Sequence, residues 1–66
     1  MSEFTRGFRL HTADGITYDG AEFPYGLIVT AHPDHGLATA YIDRQALADS
    51  NPGARIEWTD GTEEQL

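Results

Sequence analysis

Clusters of glycine, proline and aspartate divide the sequence into short runs of apolar and β-branched residues. Such runs, separated by turn-forming residues, are typical of short antiparallel strands. A short helix is also indicated over about 44–49, because Asp43 can accept a hydrogen bond from the first helical turn. We therefore expect a mainly β fold, a small five-stranded antiparallel barrel or rolled sheet with one short helix before the last strand. The five strands are expected at residues 4–12, 16–18, 27–32, 37–42 and 54–59.

The chain length limits the size of the core. The 66 residues include no cysteine, so neither disulfides nor a cysteine-based zinc site can stabilise the fold. A chain of about 60 residues buries only roughly 60% of its unfolded surface, so a large catalytic cleft is not expected. We expect residues 1–61 to form a single small β-barrel domain and residues 62–66 to form a frayed acidic tail.

The loop between the first two predicted strands sets their register. A three-residue loop over 13–15 places Leu10 opposite Tyr18 and Thr12 opposite Ile16. The apolar side chains then fall on one face, as they must when one face is buried. We therefore predict a type I turn whose glycine adopts the left-handed conformation as a bulge.

The third and fourth predicted strands flank a turn over 33–36, with proline at its start and glycine at its end. Closing this turn gives one uniformly apolar face, which is expected to face the core. Its residues form the pairs Leu27 with Ile42, Val29 with Ala40, and Ala31 with Ala38.

The opposite face of the same hairpin is mixed, and the sequence leaves two interpretations open. In one, the face is covered by the irregular connection over 19–26 and by the helix. In the other, it is an exposed aromatic and aliphatic patch ringed by carboxylates, which suits a protein interface. Under this second interpretation the interface residues are Phe23, Tyr25, Ile28, Leu37 and Tyr41.

The last predicted strand alternates clearly, with Ala54, Ile56 and Trp58 expected to point inward. The segment Ile56-Glu57-Trp58-Thr59-Asp60-Gly61 resembles the strand and turn of SH3-like and Tudor-like small barrels. The order of the predicted elements is also similar to those families. This resemblance implies a binding module and leaves its ligand open.

The charge balance restricts the classes of partner. Eleven acidic residues against four arginines and no lysine give a net charge of −7. Direct nucleic-acid binding and binding to an anionic membrane are disfavoured, because both need a cationic face. A coding or halophilic background explains the acidity, and so does selection for docking on a basic protein. Carboxylates expected on the surface are Asp19, Glu22, Asp34, Asp43, Asp49 and Glu57.

Few residues offer chemistry. His32-Pro33-Asp34-His35 contains two imidazoles and a carboxylate that, with His11, are candidate metal ligands. Turn composition is the simpler explanation of that tetrapeptide. The sequence contains no nucleophile elbow, phosphate-binding loop or dinucleotide fingerprint. We therefore expect no enzyme activity, no metal and no cofactor.

The leading functional hypothesis is a non-catalytic protein-interaction module, whose partner is a protein with a basic surface or a second copy of the chain. The alternative is an acidic inhibitor or nucleic-acid mimic, of the kind encoded by phages and mobile elements, that occupies a basic site on a host protein. A structural or assembly component ranks third. No apolar run reaches the ~20 residues of a membrane span and the first residues lack a leader pattern, so a cytoplasmic location is expected.

Overall fold

The computed structural model describes residues 4–36 and 38–66. Six strands and one helix follow one another along this part of the chain. In chain order they are β1 (Arg6–His11), β2 (Thr17–Glu22), β3 (Ile28–Ala31), β4 (Ala38–Tyr41), α1 (Arg44–Ser50), β5 (Arg55–Trp58) and β6 (Glu63–Gln65). The expected mainly β fold with one short helix is confirmed, but the strand after the helix, β5, is not the last one as expected, because β6 follows it.

All six strands belong to one antiparallel sheet, in the order β4-β3-β2-β1-β5-β6. Within the described residues, β4 and β6 are the outer strands of this order and are not paired with each other. The sheet is therefore open, and the expected five-stranded barrel is not formed. The expectation of a frayed tail over 62–66 is wrong, because β6 pairs with β5 and places Glu64 opposite Ile56.

The first hairpin has the predicted register. Leu10 lies opposite Tyr18, the backbone N–H of Thr12 donates to the carbonyl of Ile16 at 2.9 Å, and Gly15 has a φ of +89°. Strand β2 is longer than the predicted strand over 16–18, and it continues through residues 19–22. That segment contains Asp-Gly, which the sequence analysis treated as part of an irregular connection.

The core lies on one face of the sheet and is covered by α1. The helix begins where predicted, because the Asp43 carboxylate accepts a hydrogen bond from the backbone N–H of Ala46 at 2.9 Å. Its Leu47 is fully buried. The predicted inward alternation of β5 is confirmed. The core residues are Phe8, Leu10, Ile28, Leu47, Ala54, Ile56 and Trp58.

The second hairpin has the predicted register but the opposite orientation. Val29 lies opposite Ala40, as expected. However, Ile28 is fully buried in the core, whereas Ile42, on the face that was expected to be buried, is 78% exposed. The orientation is set by the pairing of β3 with β2, which places Ile28 on the same side of the sheet as Phe8. The expected inward orientation of the uniformly apolar face is therefore wrong.

A charged cluster closes the core at the end where Trp58 lies. The Arg44 guanidinium donates to Glu22 at 2.8 Å and also to Glu64, and the Trp58 indole N–H donates to Glu64 at 3.0 Å. The guanidinium of Arg6 lies 3.8 Å from the centre of the Trp58 ring. These contacts connect α1, β2, β5 and β6, and they explain why the C-terminal segment is held in the sheet.

Helix α1 has 7 residues. Across residues 4–36 and 38–66, no helix has the length and apolar character needed to cross a membrane.

Candidate interaction surface

The outer face of the sheet, opposite the core, divides into a mainly apolar half and a charged half, and Asp19 of β2, opposite Ala31, lies where the two meet. Over β2, β3 and β4 the register aligns Ala21, Val29 and Ala40 in one row across three strands. The neighbouring row contains Ala31 opposite Ala38. We call this half the apolar outer face. It consists of Ala21, Leu27, Val29, Ala31, Ala38, Ala40 and Ile42.

The apolar outer face is accessible to solvent. Ala38 and Ala40 are exposed, and Ile42 projects with 78% of its surface exposed. Val29 and Ala31 are half-buried by their neighbours in the sheet. Exposed apolar patches, when large enough, mark protein interaction sites.

An aromatic turn continues this face beyond the end of β2. The backbone N–H of Phe23 donates to the carbonyl of Leu27 at 2.8 Å, and the N–H of Gly26 donates back to the carbonyl of Phe23 at 3.0 Å. The rings of Phe23 and Tyr25 are stacked with centroids 5.7 Å apart. Tyr25 is 76% exposed. Two of the predicted interface residues thus lie beside the apolar outer face.

The other predicted interface residues lie elsewhere. Ile28 is in the core, so of the two interpretations left open for its face, the covered one holds for this residue. Tyr41 is half-buried and packs against the core, because it lies opposite Ile28 on the same side of the hairpin. Leu37 lies outside the described residues. Ala38, Ala40 and Ile42 were expected to face the core and are exposed instead; alanine is common both in cores and at surfaces, so their residue types give no signal of this.

Strand β4 borders the apolar outer face and forms one edge of the sheet. Edge strands present backbone N–H and C=O groups that another strand can pair with. Residues 38–41 are Ala-Thr-Ala-Tyr and contain neither a charge nor a proline. The edge therefore lacks two of the usual features that prevent pairing with another chain, although it has only 4 residues.

Three of the predicted surface carboxylates contact arginine or histidine side chains at different places. Asp19 lies 3.8 Å from Arg9 on the outer face, and Glu22 is held by Arg44 at the end of the core. The pKa of Arg44 is raised, mainly by its hydrogen bond with Glu22. Glu57 accepts from the His11 ring at 2.9 Å, and this hydrogen bond lowers the pKa of the Glu57 carboxyl.

The other three predicted carboxylates lie near β4 and α1. Asp34 is in the exposed turn before β4, and Asp43 caps the helix that follows it. Asp49 accepts from the side-chain amide of Gln45 on the helix surface at 2.9 Å. The predicted acidic residues are therefore distributed over the outer face, the end of the core and the helix, rather than collected on one face.

On the charged half of the outer face, hydrogen bonds join the hydroxyl of Thr17, the imidazole of His11 and the carboxylate of Glu57. Thr17 and Glu57 contact opposite nitrogens of the His11 ring, Nδ1 at 3.2 Å and Nε2 at 2.9 Å. The tautomer that satisfies both contacts donates from Nε2 to Glu57 and accepts at Nδ1 from Thr17. Thr17 lies opposite His11 on β2, and Glu57 lies on β5, the other neighbour of β1. We assign this arrangement a role in strand pairing.

The histidine turn has a local structural role. The Nδ1 atom of His32 accepts from the backbone N–H groups of Asp34 at 3.1 Å and His35 at 3.3 Å. The candidate third ligand, His11, is instead bound to Thr17 and Glu57. In the part of the chain that the structure describes, no three histidine, cysteine or acidic side chains are grouped closely enough to hold a metal ion.

Comparison of the chain with protein-family models, with curated proteins and with solved structures finds no match.

Proposed function

We propose that this protein is a non-catalytic interaction module that docks on another protein through its apolar outer face. The observation that carries the proposal is the exposure of Ile42, Ala38 and Ala40 on the mainly apolar half of the outer face, which Asp19 borders. The core of a protein interface is typically depleted in charge, and exposed aromatic residues are enriched there. The aromatic turn with Tyr25 adds such a residue at one end of the surface.

The energetic contributions of this surface are of two kinds. Complete burial of one isoleucine side chain contributes about 1.5–3 kcal/mol, so Ile42 is the expected anchor. Carboxylates around the surface contribute mainly to the rate of association and to the choice of a basic partner. The resemblance of residues 56–61 to SH3-like barrels agrees with a binding module but does not identify the surface that binds.

The nucleic-acid mimic is the less supported alternative. Such a protein needs carboxylates arrayed on one face, in the manner of phosphates along a groove. Here Glu22 closes the end of the core, Asp43 caps a helix, and Glu57 bonds to a histidine. These carboxylates have separate local contacts, so no observation favours an array.

The proposal is tested with two isoleucine variants. Affinity purification from cells of the source organism, with the protein as bait, should recover a partner that Ile42→Ser no longer binds. Ile16→Ser is the matched control, because Ile16 is 37% exposed but lies in the turn between β1 and β2. Both variants should retain the thermal stability of the parent protein, since neither side chain is in the core.

Equal retention of the partner by Ile42→Ser and Ile16→Ser would contradict docking through the apolar outer face. Loss of the partner by Ile16→Ser alone would place the binding surface at the opposite end of β2.

A further inference from the structure

Strand β4 combines an open backbone edge with the apolar outer face. It is the outermost strand of the sheet beyond β3, and Ala38, Thr39 and Ala40 are all exposed. Natural edge strands are normally protected by lysine, proline, a bulge or a covering segment. In residues 38–41 the first two are absent and the register with β3 is regular. The edge is thus suited to accept a further strand.

An added strand would extend both faces of the sheet. On the outer side it would lie beside Ala40, in the row that continues to Val29 and Ala21. On the core side it would lie beside Thr39 and the half-buried Tyr41. Alternate side chains of the added strand would therefore contact an apolar surface on one side and a mixed surface on the other.

Carboxylates stand at both ends of β4. Asp34 lies in the turn before the strand, and Asp43 lies two residues after it. Arg44 is the nearest arginine in the sequence, and it is directed to Glu22 and Glu64. A strand that carries basic residues at its ends therefore matches the charge at this edge.

The arginines of a second copy would not provide that match, because each is already engaged within its own chain. Two copies would also bring together the same carboxylates at the same edge, and each carries a net charge of −7. The charges therefore favour a different, basic partner over a second copy. The contacts that engage the four arginines within the chain are those of Arg6 with the Trp58 ring, Arg9 with Asp19, Arg44 with Glu22 and Glu64, and Arg55 with Glu63.

We propose that β4 is a strand-addition site for an extended segment of a partner protein, uncharged in its middle and flanked by lysine or arginine. Pairing of backbone groups supplies the affinity, and the flanking charges select the segment. The inference rests on the proposed function, because it specifies how the partner engages the border of the apolar outer face.

The test uses two synthetic peptides with the full-length protein. Both have a core of alternating valine and threonine, with lysines at the ends of one and glutamates at the ends of the other. Nuclear magnetic resonance follows the amide signals and hydrogen exchange of residues 38–41. The lysine-ended peptide should slow exchange across β4, and the glutamate-ended peptide should bind at least about fivefold more weakly, as expected for two surface charge pairs.

Two charge variants make the test specific. Asp34→Asn with Asp43→Asn removes both carboxylates while keeping residues that suit turns and helix N-caps. This double variant should bind the lysine-ended peptide roughly fivefold more weakly. Asp14→Asn with Asp60→Asn makes the same change in total charge at other turns, and it should alter the affinity by less than about twofold.

Three outcomes would overturn the inference. The first is that the lysine-ended peptide leaves hydrogen exchange in β4 unchanged, and the second is that the two peptides bind with equal affinity. The third is that the protein alone self-associates and thereby protects the β4 amides. If β4 is unaffected while a cellular partner still depends on Ile42, the proposed function stands and only strand addition is wrong. If the peptide protects β4 but no partner depends on Ile42, docking through the apolar outer face is wrong.

Discussion

The ring of Phe8 lies directly over Gly20 on the neighbouring strand. A Cβ atom at Gly20 would be 2.4 Å from Cζ of that ring and 2.5 Å from Cε1. These distances are far below van der Waals contact, so the absence of a side chain at Gly20 allows the ring to occupy the core. The glycine within β2 is therefore a packing requirement rather than a turn signal.

Gly20→Ala is accordingly expected to destabilise the protein by about 1–3 kcal/mol, because the Phe8 ring must move within a packed core. Gly7→Ala is the matched control in β1, where the nearest side-chain atom is Thr59 Cγ2 at 3.6 Å. Thermal denaturation should show a clear loss for the first variant and little change or a gain for the second. Equal effects would show that backbone freedom, and not the ring contact, determines the cost.

The orientation of the second hairpin is tested by two alanine substitutions in adjacent strands. Ile28→Ala should cost about 2–5 kcal/mol, since the side chain is fully buried. Ile42→Ala should change the free energy of unfolding by less than about 0.5 kcal/mol, since the side chain is exposed. Urea denaturation of both variants measures the difference. A larger loss for Ile42→Ala would mean that the hairpin faces the other way.

Arg44 is expected to hold β6 in the sheet through its contact with Glu64. Arg44→Ala should lower the free energy of unfolding by about 1 kcal/mol, a value reduced by solvent screening because the side chain is 38% exposed. It should also speed hydrogen exchange in residues 63–65. Arg55→Ala is the control, because it removes the ion pair between Arg55 of β5 and Glu63 of β6, whose side chains are 41% and 55% exposed.

If both arginine variants change exchange in β6 equally, the contact of α1 with Glu64 has no special part in holding the strand. In that case backbone pairing with β5 alone would hold it.

The stability of the protein should fall in acid. The hydrogen bond from His11 lowers the pKa of Glu57 below its ordinary 4.5, and hydrogen bonds from Thr62 lower the pKa of Asp60 below its ordinary 3.8. A lowered carboxyl pKa contributes stability that is fully present above the ordinary value and is lost as the pH falls through the folded-state value. Denaturant titrations at a series of pH values from about 7 to about 3 measure this loss.

Glu57→Gln should make the decline in stability below pH 4.5 shallower, because this carboxyl no longer titrates. Glu63→Gln makes the same chemical change without removing a contact to an imidazole and serves as the control. A pH dependence that is identical in the parent and in Glu57→Gln would contradict the contribution of the His11 contact.

Local patterns in the sequence predicted local structure well. The three-residue loop with Gly15, the register of both hairpins and the cap at Asp43 each depend on residues close together in the chain. The alternation of inward and outward side chains in β5 was also predicted from the sequence, because Ile56 and Trp58 are large and apolar and their neighbours are polar. Strand β6 was missed because its three residues are polar, and their position depends on contacts with β5 and Arg44.

The candidate surface was predicted only in part. Phe23 and Tyr25 were expected beside a surface on the Ile28 face, but Ile28 is buried, and the exposed alanines of β4 are on the opposite face. Both orientations give the hairpin the same internal register, so its own sequence could not distinguish them. The difference arises where β3 pairs with β2, through a turn whose geometry is set by the contacts of Phe23 with Leu27 and Gly26.

The sequence by itself therefore determined the approximate positions of the first five strands and the helix, the two hairpin registers and the acidic character of the surface. These follow from turn chemistry, side-chain alternation and charge counts, all of which act over a few residues. Only the tertiary structure decided that the sheet stays open and that Ile28 rather than Ile42 fills the core. Both depend on how side chains from strands distant in the chain pack together and against Leu47 of the helix. No short segment of the sequence contains this information.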